Sequence, residues 1–360
     1  MIRVGVVLTL LASLCSCGRD TAVSDNRTPE PVTAIQSAHQ PGNRADSEAL
    51  ETQSTRLWDA TGSQLEQLSR NCRQFETSIG QLLETPTDET LLTAQQQWRQ
   101  LHGELRTLAI ATSLAATNPG LFSPLAQSLA NIDQQPIAAG YLDSVAGYPN
   151  SGLVNDITLD INHSNVRQQH GLTADNEASL GLHPLEFMLF AETGQRSAGD
   201  FVRQTTSTPE LASLNRPQNR RRDYLALTTK LLCDDSEQLT EQWREHQSAI
   251  AVPYFALTPE ARLQLWQTAL QAELQALHKP RAAHHCDFAP KGCDIRWRYR
   301  GLLAFIGRAE PAVPALPANQ RAAWQSGVTK LQQALASEPR NDQLSQQAIA
   351  ELNQAINGRD

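Results

Sequence analysis

The chain has 360 residues, with 30 Lys and Arg against 38 Asp and Glu, so its formal net charge at pH 7 is −8. A chain of this length buries a substantial core, and a net negative charge without a basic stripe argues against a nucleic-acid partner. Beyond the N-terminal segment no run approaches the roughly 18 apolar residues that span a bilayer, which excludes a polytopic membrane protein.

The N-terminus has the pattern of an export signal. A short basic start with Arg3 is followed by an apolar stretch from Val4 to Leu14, which is too short for a transmembrane helix. The stretch ends in Leu-Cys-Ser-Cys17, which resembles a bacterial lipobox. We therefore expect residues 1–17 to be a lipoprotein signal peptide and Cys17 to carry the lipid anchor. Gly18, rather than Asp, follows Cys17 and indicates sorting to the outer membrane.

Residues 18–50 are predicted to be a disordered tether. They contain Pro29, Pro31 and Pro41 among polar residues, and they show no apolar periodicity. Such a segment cannot bury enough apolar surface to offset the entropy of ordering it. We expect the folded domain to occupy residues 51–357.

The folded part is predicted to be all-α. The apolar side chains from Leu65 to Leu82 recur at spacings of three and four residues, which is one face of a helix. Thr258 and Pro259 can cap and open another helix. Helices are expected near 65–82, 88–113, 219–246, 258–277, 318–337 and 342–356. Long helices with short polar connections indicate a helical bundle.

The segment from Gly181 to Glu186 has the pattern of a ligand site. On a helix, His183 and Glu186 lie three residues apart on one face, where imidazole and carboxylate can bind one metal ion. Gly181 permits a close backbone approach, and Pro184 belongs in the first helical turn. A hydrogen-bonded His–Glu pair without a metal is the alternative, because a tight site normally needs three or four ligands.

This Gly-x-His-x-x-Glu segment resembles the GxHxxE motif of the imelysin family, also called peptidase M75. The resemblance covers roughly residues 55–340. Three further segments resemble family motifs in the same order: Gln135–Asp143, Arg196–Phe201 and Arg221–Asp235. The first departs from the family's WPLDEGxID pattern at Gln135, Ala138 and Ala139. After Trp98, where the family carries an acidic residue, only Glu104 follows, at a shifted position.

The resemblance implies an imelysin-like fold of two related helical bundles packed together. It also implies a periplasm-facing, lipid-anchored protein of the outer membrane that takes part in iron uptake with an outer-membrane uptake system or another envelope protein. The metal ligands would be His183 and Glu186, with Asp143 as a third. Iron is the expected metal, with zinc or haem as alternatives. Glu186 could instead fix the tautomer of His183 without binding the ion.

Two other functions stay open at this point. A metallopeptidase would use Glu186 as its base and a metal ion on His183. However, the chain has no HExxH segment, so we expect binding rather than catalysis. A scaffold that binds a protein partner would use the motif only as a structural His–Glu pair.

Four cysteines follow the lipobox, and an exported protein can pair them. Cys286 and Cys293 are close in sequence, so they are expected to form a local disulfide. Cys72 lies on the apolar face of a predicted helix and could be either a core residue or a disulfide partner.

Overall fold

The computed structural model describes residues 44–205, 215–278, 286–290, 293–309, 318–338 and 341–357. The expected signal peptide, Cys17 and residues 18–43 of the expected tether lie outside the described residues. Among the described residues, no helix is both long enough and apolar enough to cross a membrane.

The described residues confirm the all-α prediction. They contain no strand, and the only β-type pairing among them is an isolated bridge between Val145 and Tyr148. The helices are α1 Arg44–Glu84, α2 Asp88–Thr107, α3 Ala109–Thr117, α4 Ser123–Asp133, α5 Ala139–Leu142, α6 His163–Gln169, α7 Leu182–Phe190, α8 Pro217–Arg244, α9 Ala251–Phe255, α10 Pro259–His278, α11 Arg296–Ala309, α12 Ala318–Ala336 and α13 Asp342–Asn357. A short 3-10 helix, Ala198–Phe201, lies between α7 and α8.

Two helix boundaries differ from the prediction. Helix α1 begins at Arg44, inside the expected tether, because Pro41 is the last proline before a run of good helix formers. The predicted helix 88–113 is interrupted at Leu108, whose backbone (φ −90°, ψ 9°) is not helical. At α10 the predicted cap is present, since the hydroxyl of Thr258 accepts the N–H of Ala261 at 3.4 Å.

The helices pack in two groups that share α1. One group contains α2 and α8 against α1, with α4 and α7 packed on α8, and the other contains α3, α10, α11, α12 and α13. Helix α1 packs along α8 through Trp58 and Trp243, whose rings stack at 4.0 Å between centroids. Each indole N–H donates to the other residue's backbone carbonyl at 3.0 Å. Both rings are almost fully buried, so this stack fixes the register of the two longest helices.

Two disulfides are present among the described residues. Cys72 of α1 pairs with Cys233 of α8 across 161 positions of sequence, with a Cα–Cα distance of 5.3 Å. Cys72 is therefore a disulfide partner as well as a core residue. The second disulfide joins Cys286 and Cys293 in the segment before α11.

Candidate metal centre

The start of α7 is held in place by contacts with α4 and α2. Gly181 precedes the helix with φ +99°, a backbone conformation that residues other than glycine rarely adopt. A Cβ at this position would lie 2.8 Å from the carbonyl oxygen of Ile132, near the end of α4. From α2, the indole N–H of Trp98 donates to the carbonyl of Leu182 at 2.8 Å. Gly181 and Trp98 thus bring the ends of α4 and α7 against the side of α2.

This packing gathers two histidines and an aspartate. His102 of α2, Asp133 at the end of α4 and His183 of α7 each offer one donor atom, and these atoms all lie within 4.8 Å of one another. The rings of His102 and His183 meet edge to face at 5.5 Å between centroids. His102 also stacks on Trp98, which lies one helical turn earlier. His102 and His183 are buried, and Asp133 is 16 % exposed at its side chain.

The two nitrogens of His183 face different carboxylates. Nδ1 lies 3.2 Å from Oε2 of Glu186, and the amide of Gln135 lies at the same distance. Nε2 lies 3.3 Å from Oδ1 of Asp133. Neither Nε2 of His183 nor Oδ1 of Asp133 has a hydrogen bond of normal geometry, although both atoms are fully buried. An imidazole that donates from Nδ1 to Glu186 presents the lone pair of Nε2 towards Asp133.

Glu186 is fixed by the chain beyond α10. Its Oε1 accepts the backbone N–H groups of Phe288 and Ala289, each at 2.9 Å. Its side chain is fully buried. Both carboxylate oxygens therefore have partners, and Glu186 acts on His183 from the side opposite to Asp133.

Charged neighbours set the protonation of the pair. Burial raises the pKa of Asp133, but the guanidinium of Arg106 and the contact with His183 lower it by a larger amount. The pKa of Asp133 therefore lies well below its usual value. Arg106 contacts Oδ2 of Asp133 and leaves Oδ1 towards His183. Burial lowers the pKa of His183, whereas Asp133 and Glu186 raise it by more, so the net direction is upwards.

Asp143 does not join this group. Its carboxylate is buried in an ion pair with Arg221, whose Nη2 lies 3.1 Å from Oδ1, and Arg196 lies 3.9 Å away. Its Oδ1 also accepts the backbone N–H of Ser144 at 2.8 Å. The structure therefore gives the expected third ligand a different environment. Asp133 and His102 occupy the positions beside His183 instead.

The family model for imelysin, peptidase M75, matches residues 63–287. The chain belongs to the imelysin family. Among solved structures, the chain resembles a putative iron-regulated protein A precursor from Parabacteroides distasonis ATCC 8503, with 10 % identity, a TM-score of 0.48, and coverage of 85 % of this chain and 94 % of that one. No curated protein matches significantly.

The other segments that resemble imelysin motifs support α7 rather than extend the ligand set. Arg196 donates to the carbonyls of Met188 and Phe187 at 2.8 and 3.2 Å, which satisfies the free C-terminal end of the helix. The hydroxyl of Tyr224 donates to the carbonyl of Ser179, just before Gly181, at 2.7 Å. Arg221 holds Asp143. In this imelysin, the Arg196–Phe201 and Arg221–Asp235 segments therefore hold α7 in place.

The sequence does not identify His102 and Asp133 as ligand candidates, because neither belongs to a motif with a recognisable spacing. His102 lies four residues after Trp98, on the same face of α2, and this is its only local signal. Asp133 lies two residues before the Gln135–Asp143 segment. Each becomes a ligand candidate only through contacts between helices that are distant in sequence.

Proposed function

We propose that this imelysin binds a divalent metal ion, preferentially Fe(II), through His102, Asp133 and His183. The observation that carries the proposal is the pair of facing atoms, Nε2 of His183 and Oδ1 of Asp133, which are buried without a hydrogen-bond partner. A buried polar atom without a partner costs free energy. A cation bound by both atoms and by His102 removes that cost.

The donor set favours iron. Two imidazoles and one carboxylate with further open positions are typical of non-haem Fe(II) sites, and zinc accepts the same ligands.

Glu186 has a positioning role in this proposal. It contacts Nδ1 of His183, while Nε2 faces Asp133 on the other side of the ring. A carboxylate that binds the remote nitrogen of a ligating histidine fixes its tautomer and raises its basicity. The backbone N–H groups of Phe288 and Ala289 keep Glu186 in that position.

The same arrangement argues against a peptidase. A metallopeptidase needs a base within reach of the metal-bound water. Glu186 lies across the imidazole ring from Nε2, and both of its oxygens already have partners. It cannot accept a proton from water on an ion at Nε2 without breaking these contacts.

We place this binding function in the cell envelope. Lipidation of Cys17 would anchor the protein to the outer membrane, facing the periplasm, where it would hold iron for an uptake system through an envelope partner. The lipobox-like segment and Gly18 support the location. The two disulfides are also typical of an exported protein, because cytosolic thiols are kept reduced.

The first test is metal binding by the full-length protein with its disulfides intact. Anaerobic titration with Fe(II) and with Zn(II), followed by elemental analysis, should give about one ion per chain. The near-isosteric variants Asp133→Asn and His183→Gln should each lose at least 10-fold in affinity. His163→Ala is the matched control, because His163 is exposed on α6 and should be dispensable.

Two outcomes would contradict the proposal. The wild-type protein could take up no metal, in which case His183 is an imidazolium paired with both carboxylates and the motif is structural. Alternatively, the Asp133→Asn and His183→Gln variants could bind the metal as tightly as His163→Ala does, which would show that the ion binds at another site.

A further inference from the structure

A second group of donor atoms surrounds His102. Sγ of Cys293 lies 3.3 Å from Nδ1 of His102, and Sγ of Cys286 lies 3.9 Å from the same nitrogen. The imidazole and the two sulfurs all lie within 4.8 Å of one another. The Cα atoms of the two cysteines are 5.1 Å apart. One histidine thus contacts a disulfide directly.

The surroundings of this group form a small, partly enclosed cavity. Besides the three residues, Trp98, Trp297 and Asp294 line it, and its volume is about 90 Å³. The ring of Trp297 covers Gly103 so closely that a Cβ there would lie 2.4 Å from it. Cys286 is buried, whereas Cys293 is partly exposed. A small thiol can therefore approach the disulfide from the side of Cys293.

We propose that Cys286, Cys293 and His102 form a binding site for a thiophilic divalent ion such as Zn²⁺ when the disulfide is reduced. Two thiolates and one imidazole are typical zinc ligands, and a water molecule can complete a tetrahedral set. The disulfide form keeps both sulfurs beside the imidazole but withholds them as ligands, because only the thiolate binds metal.

The chemistry balances with a dithiol as the reductant. The dithiol breaks the Cys286–Cys293 bond by exchange through a mixed disulfide. It ends as its own cyclic disulfide, and both cysteines end as thiols. Zn²⁺ then displaces one proton from each thiol, so two protons are released for each ion bound. Exchange with a disulfide oxidant would reverse the process, because the Cys286–Cys293 bond re-forms, the oxidant takes up two protons and leaves as two thiols, and the ion is expelled.

This site is separate from the iron site of the proposed function, although both include His102. Its ligands are sulfur and nitrogen, whereas Asp133 and His183 supply oxygen and nitrogen. The two proposals can therefore fail independently, and variants of Asp133 or His183 distinguish them.

The test uses Co²⁺ as a spectroscopic probe for zinc. The full-length protein is reduced anaerobically with a phosphine, freed of reductant and titrated with Co²⁺. We expect a sulfur-to-cobalt charge-transfer band in the near ultraviolet that saturates at one equivalent and disappears when Zn²⁺ is added. The oxidised protein should show no such band. Thiol titration should find two more thiols in the reduced protein than in the oxidised one, because Cys72 and Cys233 are fully buried and their disulfide should stay closed.

Three variants locate the ion. Cys286→Ser with Cys293→Ser should abolish the band, although it leaves Cys72 and Cys233 in place. His102→Ala should weaken Co²⁺ binding at least 10-fold, and His163→Ala should not. Asp133→Asn should leave the band unchanged, even if it loses iron in the oxidised protein.

The proposal is wrong if the reduced wild-type protein gives no thiolate band, whatever the variants do. It is also wrong if the band survives in the double serine variant, since the sulfur would then come from another cysteine. Circular dichroism of each variant separates a lost ligand from a lost fold.

Discussion

At the scale of single residues, Asp133 decides the charge balance of the candidate iron site. It lies between Arg106 and His183, and these neighbours lower its pKa by more than partial burial raises it. A carboxyl group whose native pKa lies below its unfolded value stabilises the fold at any pH above the unfolded value. That contribution is lost as the pH falls below the unfolded value of 3.8.

Asp133→Asn should therefore destabilise the metal-free protein by about 3 kcal/mol at neutral pH, because it leaves the charge of Arg106 buried without its partner. Chemical denaturation in the presence of a chelator measures this free energy. The difference from wild type should shrink when the pH is lowered below about 4.

The matched control is Asp234→Asn. Asp234 pairs with Lys230 and Arg73 on the surface, and its side chain is 36 % exposed. Exposed ion pairs contribute about 1 kcal/mol or less. Equal effects of the two substitutions, or a difference that does not change with pH, would contradict the account of Asp133.

At this scale the sequence identifies part of the site. His183, Glu186 and Gly181 follow from the motif, because their spacing within one helix is readable along the chain. The role of Glu186 as an orienting group depends on its contacts with Phe288 and Ala289, about a hundred residues away. His102 and Asp133 depend on helix packing in the same way. Local patterns cannot report contacts of this kind.

At the scale of elements, the junction between α4 and α7 depends on one glycine. Gly181 combines a positive φ with a backbone contact to Ile132. An alanine at this position would adopt an unfavourable backbone conformation and push the end of α4 away. Because Asp133 is the next residue after Ile132, such a shift would separate it from His183.

Gly181→Ala is accordingly expected to destabilise the protein by about 2–3 kcal/mol and to weaken metal binding. Gly80→Ala is the control, since Gly80 is exposed near the C-terminal end of α1 and a Cβ there would meet nothing within 4 Å. The control should gain about 0.5–1 kcal/mol. Thermal unfolding of both variants checks the prediction, and a neutral Gly181→Ala would refute it.

At the scale of the whole molecule, α1 and α8 are joined by more than hydrophobic packing. The Trp58–Trp243 stack and the Cys72–Cys233 disulfide both connect these helices, and the hydroxyl of Ser69 bonds to the carbonyl of Ser236 at 3.0 Å. The sequence predicts the two helices from their periodicity. It does not predict that they are neighbours, because four cysteines allow three pairings.

The two disulfides should contribute unequally to stability. Cross-linking lowers the entropy of the unfolded chain by an amount that grows with loop length. Replacing Cys72 and Cys233, 161 positions apart, with alanine should cost about 5 kcal/mol, whereas the same change at Cys286 and Cys293, 7 positions apart, should cost about 2 kcal/mol. Denaturant unfolding of the two double variants compares them, and the reverse order would contradict this account.

The position of Asp133 as the last residue of α4 has an electrostatic consequence. The carboxyl end of a helix carries a partial negative charge, so an acidic side chain there is unfavourable. In α4 that end also lies beside a second carboxylate, Glu186, across the ring of His183. The helix dipole therefore adds to the field that attracts a cation. A bound dication would also tighten the last turn of α4 and slow the exchange of its amide hydrogens.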